Sequence, residues 1–203
     1  MLEAFKEYWY FTVLLIALIV LTCWVISKAW KASVKANRIR EEQMKRMEYE
    51  NGVLKEFKDF DDAKLSAADP KRAFDGIALN IQKNLENQKD MEAAFDGLTE
   101  PQKRIYALYY LAEDSQKGLS EFFKCNGAPL TPVALEGVRE LFPSLAVAAF
   151  EEEYGAYDPD DEETSLVNSR IEQLDKDYSK AVESFDIYKT FVDYIRKNIT
   201  DFS

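Results

Sequence analysis

Carboxylates dominate the reactive groups of this chain, 37 Asp and Glu against 26 Lys and Arg in 203 residues, and histidine is absent. The densest run is Asp158-Pro159-Asp160-Asp161-Glu162-Glu163. Carboxylates at alternate positions can converge on a hard cation, with Asp158, Asp160 and Asp161 as the ligands. The run lacks the glycine at the turn position and the spaced bidentate Glu of a calcium loop, so a solvated loop is the better reading. Just upstream, Glu151, Glu152 and Glu153 form a second acidic run. Together with Asp160 and Asp161 they are the candidate contacts for a basic partner, because an acidic surface attracts Lys- and Arg-rich proteins.

Lacking histidine, the chain has neither the commonest general base nor the commonest zinc ligand. Cys125 has Lys124 beside it, which can lower a thiol pKa, but with no base partner it reads as a cysteine at the edge of a core. Cys23 lies far away in an apolar segment, so no bridge between the two is plausible. No Cys-x-x-Cys pair, glycine-rich phosphate loop or Gly-x-Ser-x-Gly elbow occurs. The expectation is a non-enzyme with no cofactor, no metal and no evident small-molecule substrate. A carboxylate- or metal-dependent enzyme is the remote alternative.

The elements that would carry these groups divide by charge. Residues 1–7 sum to −1, residues 28–46 to +5 and residues 47–203 to −15. Between the first two blocks, residues 8–27 read YWYFTVLLIALIVLTCWVIS, twenty residues without a charge. At about 1.5 Å rise per residue this spans about 30 Å, the thickness of the hydrocarbon core. Tyr8 and Trp9 stand at one end, Leu18 near the centre, Trp24 and Ser27 toward the other, and aromatic rings favour the headgroup region. A cleaved signal peptide would need a basic start and a shorter apolar run. Lys28, Lys31, Lys35, Arg38 and Arg40 follow the span and only Lys6 precedes it, so the positive-inside rule places the C-terminal part in the cytoplasm. The expected localisation is the cell membrane, single-pass, with the lipid bilayer as one partner.

Beyond the span the apolar residues recur at helical spacing and no alternating Val/Ile/Thr-rich run appears. The fold class is therefore all-α, one N-terminal transmembrane helix followed by a compact multi-helix bundle. Its parts are an N-terminal flank and span (1–27), a basic juxtamembrane segment and linker (28–70), and an acidic helical domain (71–203). Asn51-Gly52 offers a helix stop, the stretch around 60–70 reads as linker, and Phe74, Ile77, Ala78, Ile81 and Leu85 mark an amphipathic helix. Thr99-Glu100-Pro101-Gln102 is a capping box with proline in the first turn. Gly118 begins a break before Phe122 and Phe123, and Asn126-Gly127 reads as a left-handed stop. Thr131-Pro132 and Pro143-Ser144 open further helices.

Leu98-Thr99-Glu100-Pro101-Gln102-Lys103-Arg104-Ile105, then Gly118-Leu119-Ser120-Glu121-Phe122-Phe123 and Asn126-Gly127, resemble a bacterial domain family named for a DNA-mimic protein. Ile171-Glu172-Gln173-Leu174-Asp175 and Phe191-Val192-Asp193-Tyr194-Ile195 extend the likeness, which covers about 90–199. The motif residues carried over are Thr99, Gln102, Gly118, Phe122 and Phe123. Ser115-Gln116-Lys117 departs from the family's asparagine-rich turn, and Glu121 stands where the family has Gln. The resemblance implies a compact all-α acidic module without catalytic residues, whose namesake offers carboxylates to a DNA-binding protein in place of phosphates. The functional expectation is a membrane-anchored, acidic protein-interaction module that recruits a basic cytoplasmic protein and does not itself bind nucleic acid. DNA-mimic-like sequestration of a DNA-binding protein is the narrower alternative.

Overall fold

The computed structural model describes residues 9–158, 160–161 and 167–202; within the first helix, the side chains of 9, 10, 12, 16, 19, 23, 25, 27, 29 and 32 lie outside that description. Among the described residues every regular element is helical. The chain forms two units, Met1–Tyr49 and Glu50–Ser203.

Helix α1 is Trp9–Glu56, 48 residues. Its middle is rich in Ala, Lys, Arg, Glu and Met, all good helix formers, and Arg38 donates to Glu42 one turn on at 3.1 Å. The stop expected at Asn51-Gly52 does not occur. A mid-helix glycine costs about 1 kcal/mol, whereas continuing the helix buries Val53, and one residue beyond its end Phe57, both fully. Each such burial is worth about 1.5–3 kcal/mol, so packing overrides the glycine.

Residues 50–70, read as juxtamembrane segment and linker, thus supply Val53, Phe57 and Leu65 to the core of the second unit. They also hold a short helix, α2 (Asp62–Ala67), whose N-cap Asp61 accepts from the Lys64 backbone N–H at 2.8 Å. Helix α3 (Pro70–Glu86) begins with Asp69 capping the Arg72 N–H at 3.0 Å and proline in its first turn. It buries Phe74, Ile77, Ala78, Ile81 and Leu85, the expected face. Gly76 lets α3 meet the end of α1, since a Cβ there would lie 2.6 Å from a Phe57 ring carbon and 2.8 Å from the Val53 carbonyl oxygen.

Helices α4 (Met91–Asp96) and α5 (Glu100–Asp114) follow. A 3₁₀ turn (Ser115–Lys117) then leads to α6 (Leu119–Cys125). Helix α7 is Leu130–Leu141, α8 Ser144–Ala156, α9 Ser169–Glu183 and α10 Ile187–Lys197, with a last 3₁₀ turn at Ile199–Phe202. Asn126-Gly127 is not a left-handed stop. Asn126 is extended, at φ −135°, and Gly118 alone has positive φ among the described residues. The Asn126 amide instead turns inward, donating to Asp114 at 2.8 Å and to the Phe122 carbonyl at 2.9 Å.

The main helix pairs are α8 with α9, α5 with α7, and α3 with α10. Phe74 and Phe191 join the last pair, ring centroids 4.6 Å apart. Arg104 on α5 crosses to α7 and α10, donating to Glu140 at 2.6 Å and to the Tyr194 hydroxyl at 3.2 Å.

Among the described residues no helix is long and apolar enough to cross a membrane. The expected span 8–27 is interrupted in that description: Tyr8 lies outside it, as do the side chains of Trp9, Tyr10, Thr12, Ile16, Ile19, Cys23, Val25 and Ser27. Its described large residues, among them Leu18 and Trp24, are exposed at more than half of their surface.

Candidate functional site

The acidic residues expected to meet a partner do not form one patch. On α8 the inward face is Ala146, Ala149, Phe150 and Glu153, the i, i+3, i+4, i+7 stripe. Glu153 is therefore fully buried, which corrects its reading as a surface contact. Its neighbours do face solvent. The Arg139 guanidinium donates to Glu151 at 2.7 Å, and Arg170 grips Glu152 through two nitrogens, the Nε at 2.5 Å, so both carboxylates are already paired. Arg170 holds Glu152 below the usual carboxylate range.

Asp160 and Asp161 are exposed, and the turn around them is closed internally. The Asp160 N–H donates to the Asp158 side chain at 2.9 Å, and the Asp161 N–H to the Asp158 carbonyl at 3.1 Å. Among the described residues no three potential metal ligands converge; Glu162 and Glu163 lie outside the description. Cys125 is exposed rather than at a core edge. Partial desolvation and the nearby Asp114 and Glu121 carboxylates push its thiol up, opposite to what an activated nucleophile requires.

Gly118, Phe122 and Phe123 of the motif do come together, around a residue that sequence spacing did not single out as a site, whereas Thr99 and Gln102 sit apart at the start of α5. Asp175 on α9 reaches the start of α6, where one carboxylate oxygen accepts from the Ser120 backbone N–H at 2.8 Å and the other from the Ser120 hydroxyl at 2.9 Å. Gly118 makes room for it. Its φ is +143°, and a Cβ would lie 2.7 Å from an Asp175 oxygen. Only glycine satisfies both conditions. Behind this junction Phe122, Phe123 and Phe150 interlock, the last two with ring centroids 5.0 Å apart. The capping box forms as expected: Thr99 Oγ1 accepts from the Gln102 N–H at 3.4 Å, and Gln102 Oε1 from the Thr99 N–H at 3.1 Å.

Glu153 is the most perturbed carboxyl near this junction. Both its oxygens are buried without a hydrogen-bond partner among the described residues. Burial first, then the Asp175 carboxylate and more weakly Glu152, push its pKa up to about 8, against some relief from Lys124. At neutral pH it is mostly protonated, which avoids leaving an uncompensated charge in the interior. Tyr178 on α9 is also raised, chiefly by burial. This cluster can hold a proton.

On α1, Lys28, Lys31, Lys35, Arg38 and Arg40 are all exposed, and the Lys28 ammonium sits 4.4 Å from the centre of the Trp24 ring. Compared with known proteins, the chain matches no family model, no curated protein and no solved structure. The likeness to the DNA-mimic-type family rests on the sequence motifs alone.

Proposed function

We propose that the chain is a single-pass membrane protein that displays an acidic helical module to a basic cytoplasmic partner. The observation that carries the anchor is the pattern of exposure on α1. Phe11, Val13, Leu14, Leu15, Leu18, Val20, Leu21, Trp24 and Ile26 are all exposed. At about 100° per residue they cover about two thirds of the helix circumference, and a helix with so wide an exposed apolar face and no charge over 8–27 requires an apolar surrounding. Lipid supplies that surrounding. Trp24 with Lys28 stacked on it suits the headgroup level, where an amphipathic ring and a reaching ammonium both find water.

The module reading is supported by charge. Residues 1–49 carry eight Lys and Arg against five Asp and Glu, which leaves −14 for 50–203. A surface so charged attracts basic proteins at long range, and that attraction weakens steeply with salt. Affinity capture from cell extract, with the full chain in neutral micelles, tests it: the reading predicts retained basic proteins that are released as salt rises. Capture that is indifferent to salt, or basic proteins retained no better than acidic ones, contradicts it. Competition of the captured protein with DNA distinguishes the narrower mimicry reading from simple recruitment.

A further inference from the structure

We propose that the groove between the end of α1 and α3 is a binding site for a small organic anion with an apolar or aromatic body. The groove is about 500 Å³, lies wholly within the second unit, and falls in the usual size range of small-ligand pockets. Its charged lining is unlike the rest of that unit. Lys55, Lys58 and Lys83 line it, and no Asp or Glu does, although the unit carries net −14. A larger groove of about 730 Å³ along α9 lacks this bias, because there Lys117, Lys176 and Lys180 alternate with Glu172, Asp175 and Glu183.

The three lysines are also unspent. Some other lysines of the unit are committed, Lys71 to Asp75 at 2.9 Å, Lys103 to Glu100 at 3.0 Å and Lys124 to Glu121 at 2.7 Å, so what sets the groove's lysines apart is that they are unpaired and share a lining without carboxylates. Lys55, Lys58 and Lys83 have no ion pair among the described residues and are exposed. A cation in the last turn of a helix complements the macrodipole, which accounts for Lys55 and Lys83 singly. It accounts neither for Lys58, which lies beyond α1, nor for the exclusion of carboxylates from the whole lining.

Between the cations the lining offers amides. Asn80, Asn84 and Asn87 stand at i, i+4 and i+7 on and just past α3, with Asn51 opposite on α1. Asn80 spends its amide nitrogen on the Leu54 and Gly76 carbonyls, at 3.1 and 2.7 Å, which fixes its orientation. Phe57, Ile77 and Ile81 form a buried apolar floor, with Phe60 and Phe202 half-buried beside it. An apolar floor, the donor-capable amides of Asn51, Asn84 and Asn87, and unpaired ammonium groups are complementary to one ligand chemistry: a flat apolar body ending in a carboxylate or phosphate. The proposal does not depend on the membrane anchor.

The test is titration of the full chain in neutral micelles with 1-naphthyl phosphate, always against the triple variant Lys55→Gln, Lys58→Gln, Lys83→Gln in the same micelles, so that partition into detergent cancels. All three positions are exposed, and matching thermal melts show that the fold is kept. The expected result is saturable binding to the wild-type chain that is weakened roughly tenfold or more in the triple Gln variant and kept in the corresponding triple Arg variant. Neutral 1-naphthol and inorganic phosphate, each with half of the chemistry, should bind at least about tenfold more weakly than the combined probe. No saturation at millimolar probe, equal binding by the Gln variant, or equal binding of either half-probe overturns the proposal.

Discussion

At the residue scale the junction of Gly118, Ser120 and Asp175 couples the start of α6 to α9 across 55 residues of sequence. Replacing Gly118 by alanine forces a side chain into a positive-φ position and onto the Asp175 carboxylate. Chemical denaturation should show a loss of at least about 2 kcal/mol, from strain and the broken cap together. Asp175→Ala should cost about 1–3 kcal/mol by leaving the Ser120 N–H without its acceptor. Glu153 predicts a pH dependence. Its folded pKa of about 8 lies above the 4.5 of a solvated glutamate, so the folded state holds the proton more tightly. Its contribution is complete below about pH 4.5 and is lost as pH rises toward 8. Glu153→Gln should therefore flatten the fall in stability over that window and be the more stable form at about pH 8.5, as read by melts at both ends; a steeper fall in the variant contradicts this assignment. The position of Glu153 was legible in the sequence, through the stripe Ala146, Ala149, Phe150, Glu153, but the acidic run around it read as surface. Asp175 was visible only as part of a motif. Its role depends on a contact between distant segments, which no local spacing encodes.

At the scale of elements, local chemistry was legible and tertiary choices were not. The Thr99–Gln102 capping box, the start of α8 at Pro143-Ser144 and the apolar face of α3 are each decided by a few neighbouring residues, and each appears where the sequence places it, while α7 begins at Leu130, one residue ahead of the expected Thr131-Pro132. The end of α1 is decided elsewhere. Gly52 stays helical because Val53 and Phe57 are buried against α3, and Gly76 leaves the space for them. Phe57→Ala should then cost about 3–5 kcal/mol in urea unfolding. Gly76→Ala should destabilise by overlap with the Phe57 ring. Combining the two should cost less than the sum, since removing the ring relieves the overlap. Strict additivity would mean that α1 and α3 do not meet through this pair.

At the scale of the whole molecule, two properties readable from composition carry the functional account: a 20-residue uncharged stretch beside a basic segment, and an excess of 14 negative charges over 50–203. What composition hid is how the carboxylates are used, two paired to arginines and one buried on α8 alone. A charge at the centre of the stretch should abolish anchoring if the stretch spans a bilayer. Leu18→Arg is expected to cost about 2.5–3.5 kcal/mol of insertion, and fractionation should move the chain toward the soluble pool. The most direct measurement is protease access in cells whose membranes are first intact and then permeabilised, read by an antibody to residues 50–203, beside extraction in alkaline carbonate. The account predicts that the chain stays in the carbonate pellet and that 50–203 is protected until permeabilisation. Release into the carbonate supernatant, or cleavage of 50–203 from outside intact cells, would contradict it.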